Sequence, residues 1–203
     1  MDSTFLGRAL ILGRVRPLAM AASFGLIVAV LTAMLAGIIA PDDSLAQDTQ
    51  RRLQAPGGSY LLGSDHFGRD VFGRTIHGAR TALYIGLTSV AIGATIGTVI
   101  GLASAYRGGW MDLLVQRVVD AFSAFPLLVL AVVVITTLGP SSNTVIIAIA
   151  LSLAPQLARL SRSSALNIRV SGHIIAAQAI GASPMRIVFW HFLPHSLGVV
   201  LAY

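Results

Sequence analysis

A chain of 203 residues that is 55% hydrophobic and only 11% charged carries more apolar surface than one soluble core can hide, so much of it must face lipid. All fourteen basic residues are Arg and all eight acids are Asp; with no lysine there is no Walker A phosphate loop, and the chain cannot itself be a P-loop ATPase. The net charge of +6 is dispersed around apolar runs, which argues against a nucleic-acid surface, and the lack of cysteine excludes disulfides and cysteine metal sites.

The first uncharged run, residues 18–40, is long enough at about 1.5 Å per residue to cross a hydrocarbon core of about 30 Å. It exceeds the roughly 7–15 apolar residues of a secretory signal and reads as a membrane anchor behind the Arg-bearing segment 1–17. The polar connection 41–80 ends in Gly63-Ser-Asp65-His-Phe-Gly68-Arg69-Asp70-Val-Phe-Gly-Arg74. On a helical projection Phe72, Ile76, Ala79 and Leu83 share one side while Arg69, Asp70, Arg74, His77 and Arg80 share the other. The expectation is an interfacial helix that turns into the next span, with Asp70 and Arg74 paired one turn apart. Asp65, His66, Asp70 and His77 match no standard ligand spacing, so no metal is expected there.

Residues 81–106 form the second run, where Gly93, Gly97 and Gly101 recur every four residues. Small residues at that interval let helix backbones approach closely in lipid, so this span packs against other helices, in this chain or in a second subunit. The uncharged stretch 121–158 fits two spans separated by Gly139-Pro140-Ser-Ser-Asn143. Pro126, at the start of the third span, and Pro155, near the end of the fourth, mark kinks or first turns.

Polar-flanked residues 173–194 read as a short helix, a stop at Gly181, a restart at Ser183-Pro184 and a second helix ended by Pro194. A helix outside the bilayer that exposes Ile and Ala wants a partner groove. With Pro194 as the break, only nine residues remain of the run 187–203, against the roughly 20 that a span requires, so the expectation is four complete spans, the start of a fifth and an incomplete C-terminus.

With the N-terminus inside, the inner connections hold nine arginines, at positions 8, 14, 16, 107, 117, 159, 162, 169 and 186, against five outside. That asymmetry predicts a cytoplasmic N-terminus and places residues 173–194 in the cytoplasm. The four runs proposed as spans contain no Asp, Glu, Lys, Arg or His, which argues against an intramembrane enzyme and gives no electrostatic preference for a substrate.

The ordered set Gly-Ser-Asp65-x-x-Gly68-Arg69-Asp70-x-x-x-Arg74, Gly78-Ala-Arg80, Tyr106-Arg-Gly-Gly109, Arg117-x-x-Asp120, Phe125-Pro126, Gly139-Pro140 and Ala176-Ala177-x-x-x-Gly181 with Leu193-Pro194 closely resembles the permease subunits of bacterial dipeptide, oligopeptide and nickel ABC importers, the C-type partner of a heterodimeric pair in particular. The resemblance implies an all-α, polytopic transmembrane helical bundle of the type I importer class in the bacterial inner membrane, with a core domain over 81–203. It further implies a second permease subunit, cytoplasmic ATP-binding subunits and an extracytoplasmic substrate-binding protein as partners, no nucleic acid, and no cofactor or covalent chemistry in this chain. The family's cytoplasmic EAA loop maps onto 173–194, where Ala176, Ala177, Gly181, Leu193 and Pro194 match its pattern, Ile175 replaces the glutamate and His191 the isoleucine. Docking of the ATPase is then expected to rest on apolar burial of Ile174, Ile175 and Ile180. Peptides are the expected substrate on the resemblance alone; nickel, another small solute, or a non-transporting truncated scaffold are the alternatives.

Overall fold

A computed structural model describes residues 17–41, 45–58 and 60–202. These residues are helical apart from loops, with two isolated β-bridges and no strand among them. The chain divides into two compact units, Met1–Tyr84 and Ile85–Tyr203. The N-terminal segment expected to be cytoplasmic lies, save Pro17, outside the described residues.

In the first unit, α1 (Pro17–Met34) is followed after Leu35 by the single turn α2 (Ala36–Ile39), so the first apolar run is an interrupted helix. Its end is fastened where the Ala40 carbonyl lies 3.0 Å from His77 Nε2. The polar connection folds on itself around Asp65, whose carboxylate accepts from the backbone N–H groups of Phe67 (2.8 Å) and Arg69 (3.0 Å), from Arg69 Nε (2.9 Å) and from Arg74. Burial opposes ionisation of this carboxyl, but the two backbone donors and the Arg69 guanidinium outweigh it and hold its pKa far below the usual carboxylate range.

The expected pairing of Asp70 with Arg74 is not what forms. Asp70 accepts instead from the N–H groups of Phe72 (3.1 Å) and Gly73 (2.8 Å), capping the helix that begins at Val71, and Arg74 is left to Asp65. Orphan N–H groups at a helix start attract a carboxylate more strongly than an exposed side-chain partner does. From that cap, α3 (Val71–Arg107) runs 37 residues without a break, so no separate interfacial helix precedes the second span. The apolar positions Phe72, Ile76, Ala79 and Leu83 are half-buried while Arg74 and Arg80 are exposed.

In the second unit, α4 (Gly109–Ser123) follows α3 after Gly108 alone. Both glycines of this turn have positive φ, 64° and 58°, which side chains other than glycine resist. Residues 124–126 then break the chain, and α5 (Leu127–Leu138) departs at 85° from α4. At 12 residues α5 is too short to cross a bilayer by itself, and the third span expected from residue 121 corresponds to this helix, which starts just after Pro126, together with the bent junction to α4. The reason is Pro126: its missing N–H and its effect on the preceding residue forbid a continuous helix.

The central element is α6 (Ser142–Arg169), started by Ser141 Oγ accepting from Thr144 N and packed against α4, α5 and the C-terminal helix. Pro155 sits inside it and is buried. Then come α7 (Gly172–Ala179), α8 (Pro184–Ile187), one π-helical turn (Val188–Phe192) and α9 (Leu193–Ala202). The helical path therefore passes through Pro194 and does not end there, which corrects the expected break. In the π turn the Leu193 N–H donates to Val188 O five residues back, and this wider turn gives the proline ring room that a regular α-helix denies it.

By length and composition four helices are able to cross a membrane, α1, α3, α6 and the stretch Pro184–Ala202, with α4 and α5 together supplying a fifth if they form one broken span.

Candidate functional site

The glycine stripe of α3 finds its neighbour inside this chain. A Cβ placed on Gly93 would lie 3.0 Å from Ala150 O; on Gly97, 2.5 Å from Ala154 O; on Gly101, 2.3 Å from Ala158 O. The α3 and α6 backbones thus touch along three successive turns, closing progressively toward their second ends. Polar ties reinforce this end. Arg162 of α6 grips Asp112 of α4 with both donors, Nε to Oδ1 at 2.7 Å and Nη2 to Oδ2 at 2.6 Å. Gln116 Nε2 donates to Ser104 Oγ at 3.2 Å, and Arg169 Nη1 to Ala105 O at 2.9 Å. The Asp112–Arg162 pair was invisible in the sequence, since fifty residues separate the partners and no local pattern links them.

Against this clamped end sits the helix–glycine–helix element. Gly181 has φ of 79° and open space around its Cβ position, so it is glycine for its backbone alone. Its N–H donates to Gln178 O (3.0 Å) and that of Ala182 to Ala177 O (3.0 Å), which closes the end of α7. Two residues on, Ser183 Oγ accepts from Arg186 N at 3.3 Å and caps α8, with Pro184 in its first turn.

The element has two faces. Ile174 and Phe192 are fully buried and Ile187 nearly so, in one cluster with Leu102 and Ala105 of α3 and Ala165 and Ile168 of α6. Tyr106 meets Phe192 edge-on, ring centroids 6.3 Å apart. Burying three such side chains contributes about 1.5–3 kcal/mol each, enough to make the element one body with the ends of α3 and α6. On the other face Ile175 is 55% exposed and Ile180 85% exposed, with Ala176 and Ala179 between them. Ile174, expected among the docking residues, thus faces inward and is a weld. Leu193 is half-buried at the edge of the same cluster, and Pro194 is exposed.

The metal-type residues of the first unit do not converge. Asp65 and Asp70 are engaged by backbone N–H groups and arginine, and His77 by Ala40. Among the described residues there is no group of three or more His, Asp or Glu able to hold an ion.

Comparison with known proteins fits this architecture. The chain is 37% identical over 172 residues to a dipeptide transport system permease protein from Alkalihalophilus pseudofirmus, covering 85% of this chain and 57% of that protein. It is 40% identical over 176 residues to a putative peptide transport system permease protein from Brucella suis, covering 87% and 59%. A glutathione transport system permease protein from Escherichia coli is 37% identical over 187 residues, covering 92% and 62%. The chain thus spans about three fifths of the length of these relatives. Residues 97–203, which include the α3–α6 clamp and the whole helix–glycine–helix element, match the family described as the binding-protein-dependent transport system inner membrane component. This polytopic helical chain, with its apolar spans and two-faced element, belongs to that family.

Proposed function

We propose that this chain is a membrane-spanning permease subunit of an ATP-driven, binding-protein-dependent importer in the inner membrane, carrying di- or oligopeptides. Relatives named for dipeptide, peptide and glutathione transport support the substrate class. In this reading the protein supplies no catalytic group. A second permease completes the pathway, an extracytoplasmic protein delivers the substrate, and cytoplasmic ATPase subunits supply the work. The nine-to-five arginine asymmetry supports a cytoplasmic N-terminus and, within the segment 173–194, a cytoplasmic position for residues 173–183, since the stretch from Pro184 to Ala202 is itself long and apolar enough to cross a membrane.

The observation that carries the proposal is the two-faced element. An ATPase groove that covers Ile175, Ala176, Ala179 and Ile180 holds a surface with no room to slide, because Ile174, Ile187 and Phe192 fasten its back to α3 and α6. Closure of the nucleotide-binding subunits then moves the ends of these helices as one rigid piece and switches access across the membrane.

Substitution at an exposed position tests this without disturbing the core. In the full-length protein with its partner subunits, Ile180→Asp is expected to abolish co-purification of the ATPase and ATP-dependent uptake while the permease still reaches the membrane. Undiminished ATPase association in Ile180→Asp and in Ile175→Asp together refutes the docking role.

A further inference from the structure

Arg107 ends α3 at the junction of two apolar grooves. One groove, of about 400 Å³, runs between α3 and the 184–193 segment, with Val99, Leu102, Tyr106, Met185, Val188 and Phe189 among its walls; Arg107 lines its mouth. The other, of about 280 Å³, lies on the α4 side and is walled by Val99, Ile100, Ala103, Met111 and Val115, and Arg107 lines it too. The guanidinium is exposed and has no carboxylate partner among the described residues. None is to spare among the described residues of this unit: Asp112 is taken by Arg162 and Asp120 faces Arg159 at 3.7 Å. Arg117 and Arg186 are likewise exposed, with no carboxylate partner among the described residues. This end of the unit therefore carries uncompensated positive charge beside walls that hold almost nothing polar.

A ligand suited to that arrangement has an anionic head and an apolar body. A peptide acid answers the charge and leaves the grooves empty; a transmembrane helix fills a groove and ignores the arginine. We propose that Arg107 and its two flanking grooves bind one anionic diacyl phospholipid, with the phosphate on Arg107 and one acyl chain on either side of α3. Trp110, exposed three residues on, and Tyr106 at the groove wall are the residue types that settle at headgroup depth, which places Arg107 at the level of lipid phosphates. Basic pockets between transmembrane helices select anionic headgroups for the same reason. The lipid fills the cleft between α3 and the helix–glycine–helix element. The proposal rests on the membrane reading above but not on ATPase coupling.

The test uses the full-length protein with its partner subunits in phosphatidylcholine nanodiscs. These are doped with phosphatidylglycerol or phosphatidylcholine bearing the same photoactivatable acyl chain, and adducts are located by peptide mass spectrometry. Labelling of residues 99–106 and 185–193 is expected to be about 5-fold stronger from the phosphatidylglycerol probe, the ratio that a contribution of about 1 kcal/mol from one arginine implies. Arg107→Gln should remove that preference, Arg107→Lys should keep most of it, and Arg117→Gln should leave it unchanged. Equal labelling by both headgroups overturns the proposal. So does absence of labelling, which would show a helix of the partner or of the rest of the full-length chain in the grooves. ATP-dependent uptake measured on the same preparations separates the two readings, since intact uptake with either negative result removes the lipid site and leaves the transport function standing.

Discussion

Alanine placed along the glycine stripe of α3 should give a graded series whose order is set by distance. At Gly86 an added Cβ meets nothing within 4 Å, so only the helix-propensity gain of about 1 kcal/mol over glycine applies. At Gly93 the nearest atoms lie at 3.0 and 3.1 Å, and α6 needs to yield by a few tenths of an ångström, which leaves a result near neutral. At Gly97 the Cβ would stand 2.5 Å from Ala154 O and 2.9 Å from Leu157 Cβ. At Gly101 it would stand 2.3 Å from Ala158 O, against ordinary contact at 3.4–4 Å, so the helices must part by about 1 Å or more. The obstacle is backbone and cannot rotate away. Overpacking of this kind costs about 1–3 kcal/mol; because the propensity gain is common to every position it cancels in the comparison, and the series spreads over roughly 1–3 kcal/mol from Gly86→Ala to Gly101→Ala. Denaturant titration of the assembled full-length complex, read by fluorescence of Trp110 and Trp190, measures the order. If Gly101→Ala proves as mild as Gly86→Ala, the close approach of α3 to α6 is wrong.

Asp112→Asn leaves Arg162 facing a neutral amide in a site where the aspartate is only 11% exposed, and should cost about 2 kcal/mol, below the 3–5 of a fully buried pair because Arg162 retains some solvent. The double replacement Asp112→Leu with Arg162→Met should recover much of that loss in the same denaturation assay; a double variant worse than either single one contradicts the account. At Gly181, φ of 79° with free space around the Cβ position predicts a backbone penalty of about 1–2 kcal/mol for Gly181→Ala and a smaller one for Gly181→Asn, which tolerates the left-handed region. Uptake per ATP hydrolysed should fall in the same order, and equal coupling in glycine, asparagine and alanine forms argues against the rigid-element mechanism. In the outer loop, the depressed pKa of Asp65 means that its ionised form stabilises the fold above the unfolded value of about 3.9, with the contribution lost as pH falls through the lower folded value. Amide exchange at Phe67 and Arg69 should stay slow at pH 4 and quicken only in stronger acid, whereas Asp65→Ala should exchange fast at every pH.

The parts legible in the sequence share one property: their cause is local. Gly181, Ser183 and Pro184 announce a helix end and a restart through their own backbone preferences, and the structure has both within a residue or two of the expected places. The four-residue glycine interval forecast a close helix contact, although only the folded chain identified α6 as the neighbour. What escaped depends on distant partners or on competition. Asp70 had two suitors, and the capping role won over Arg74. Asp112 and Arg162 meet only because α4 doubles back after Gly108. Ile174 and Ile175 are indistinguishable as residue types, yet one is wholly buried and the other mostly open, a difference fixed by how α7 lands on α3 and α6.

Pro194 shows why a helix-breaking rule fails where it matters for this protein. The rule assumes a regular ladder, in which proline removes one hydrogen bond and collides with the carbonyl four residues back. Here the ladder has already widened at Val188–Phe192, so the path from Pro184 to Ala202 continues through the proline. The widened turn also brings Phe192 into the cluster with Ile174 and Ile187. Had the chain broken at Pro194, the helix–glycine–helix element would still have been fastened to α3 and α6 by Ile174 and Ile187, but free to hinge against the last helix. With the path unbroken, a push on Ile175 or Ile180 reaches α9 as directly as it reaches α3 and α6. Two substitutions separate these outcomes: Pro194→Ala should change little, because the π turn and its cluster do not need the ring, whereas Phe192→Ala should open a cavity costing about 3–5 kcal/mol and release the element from its seat.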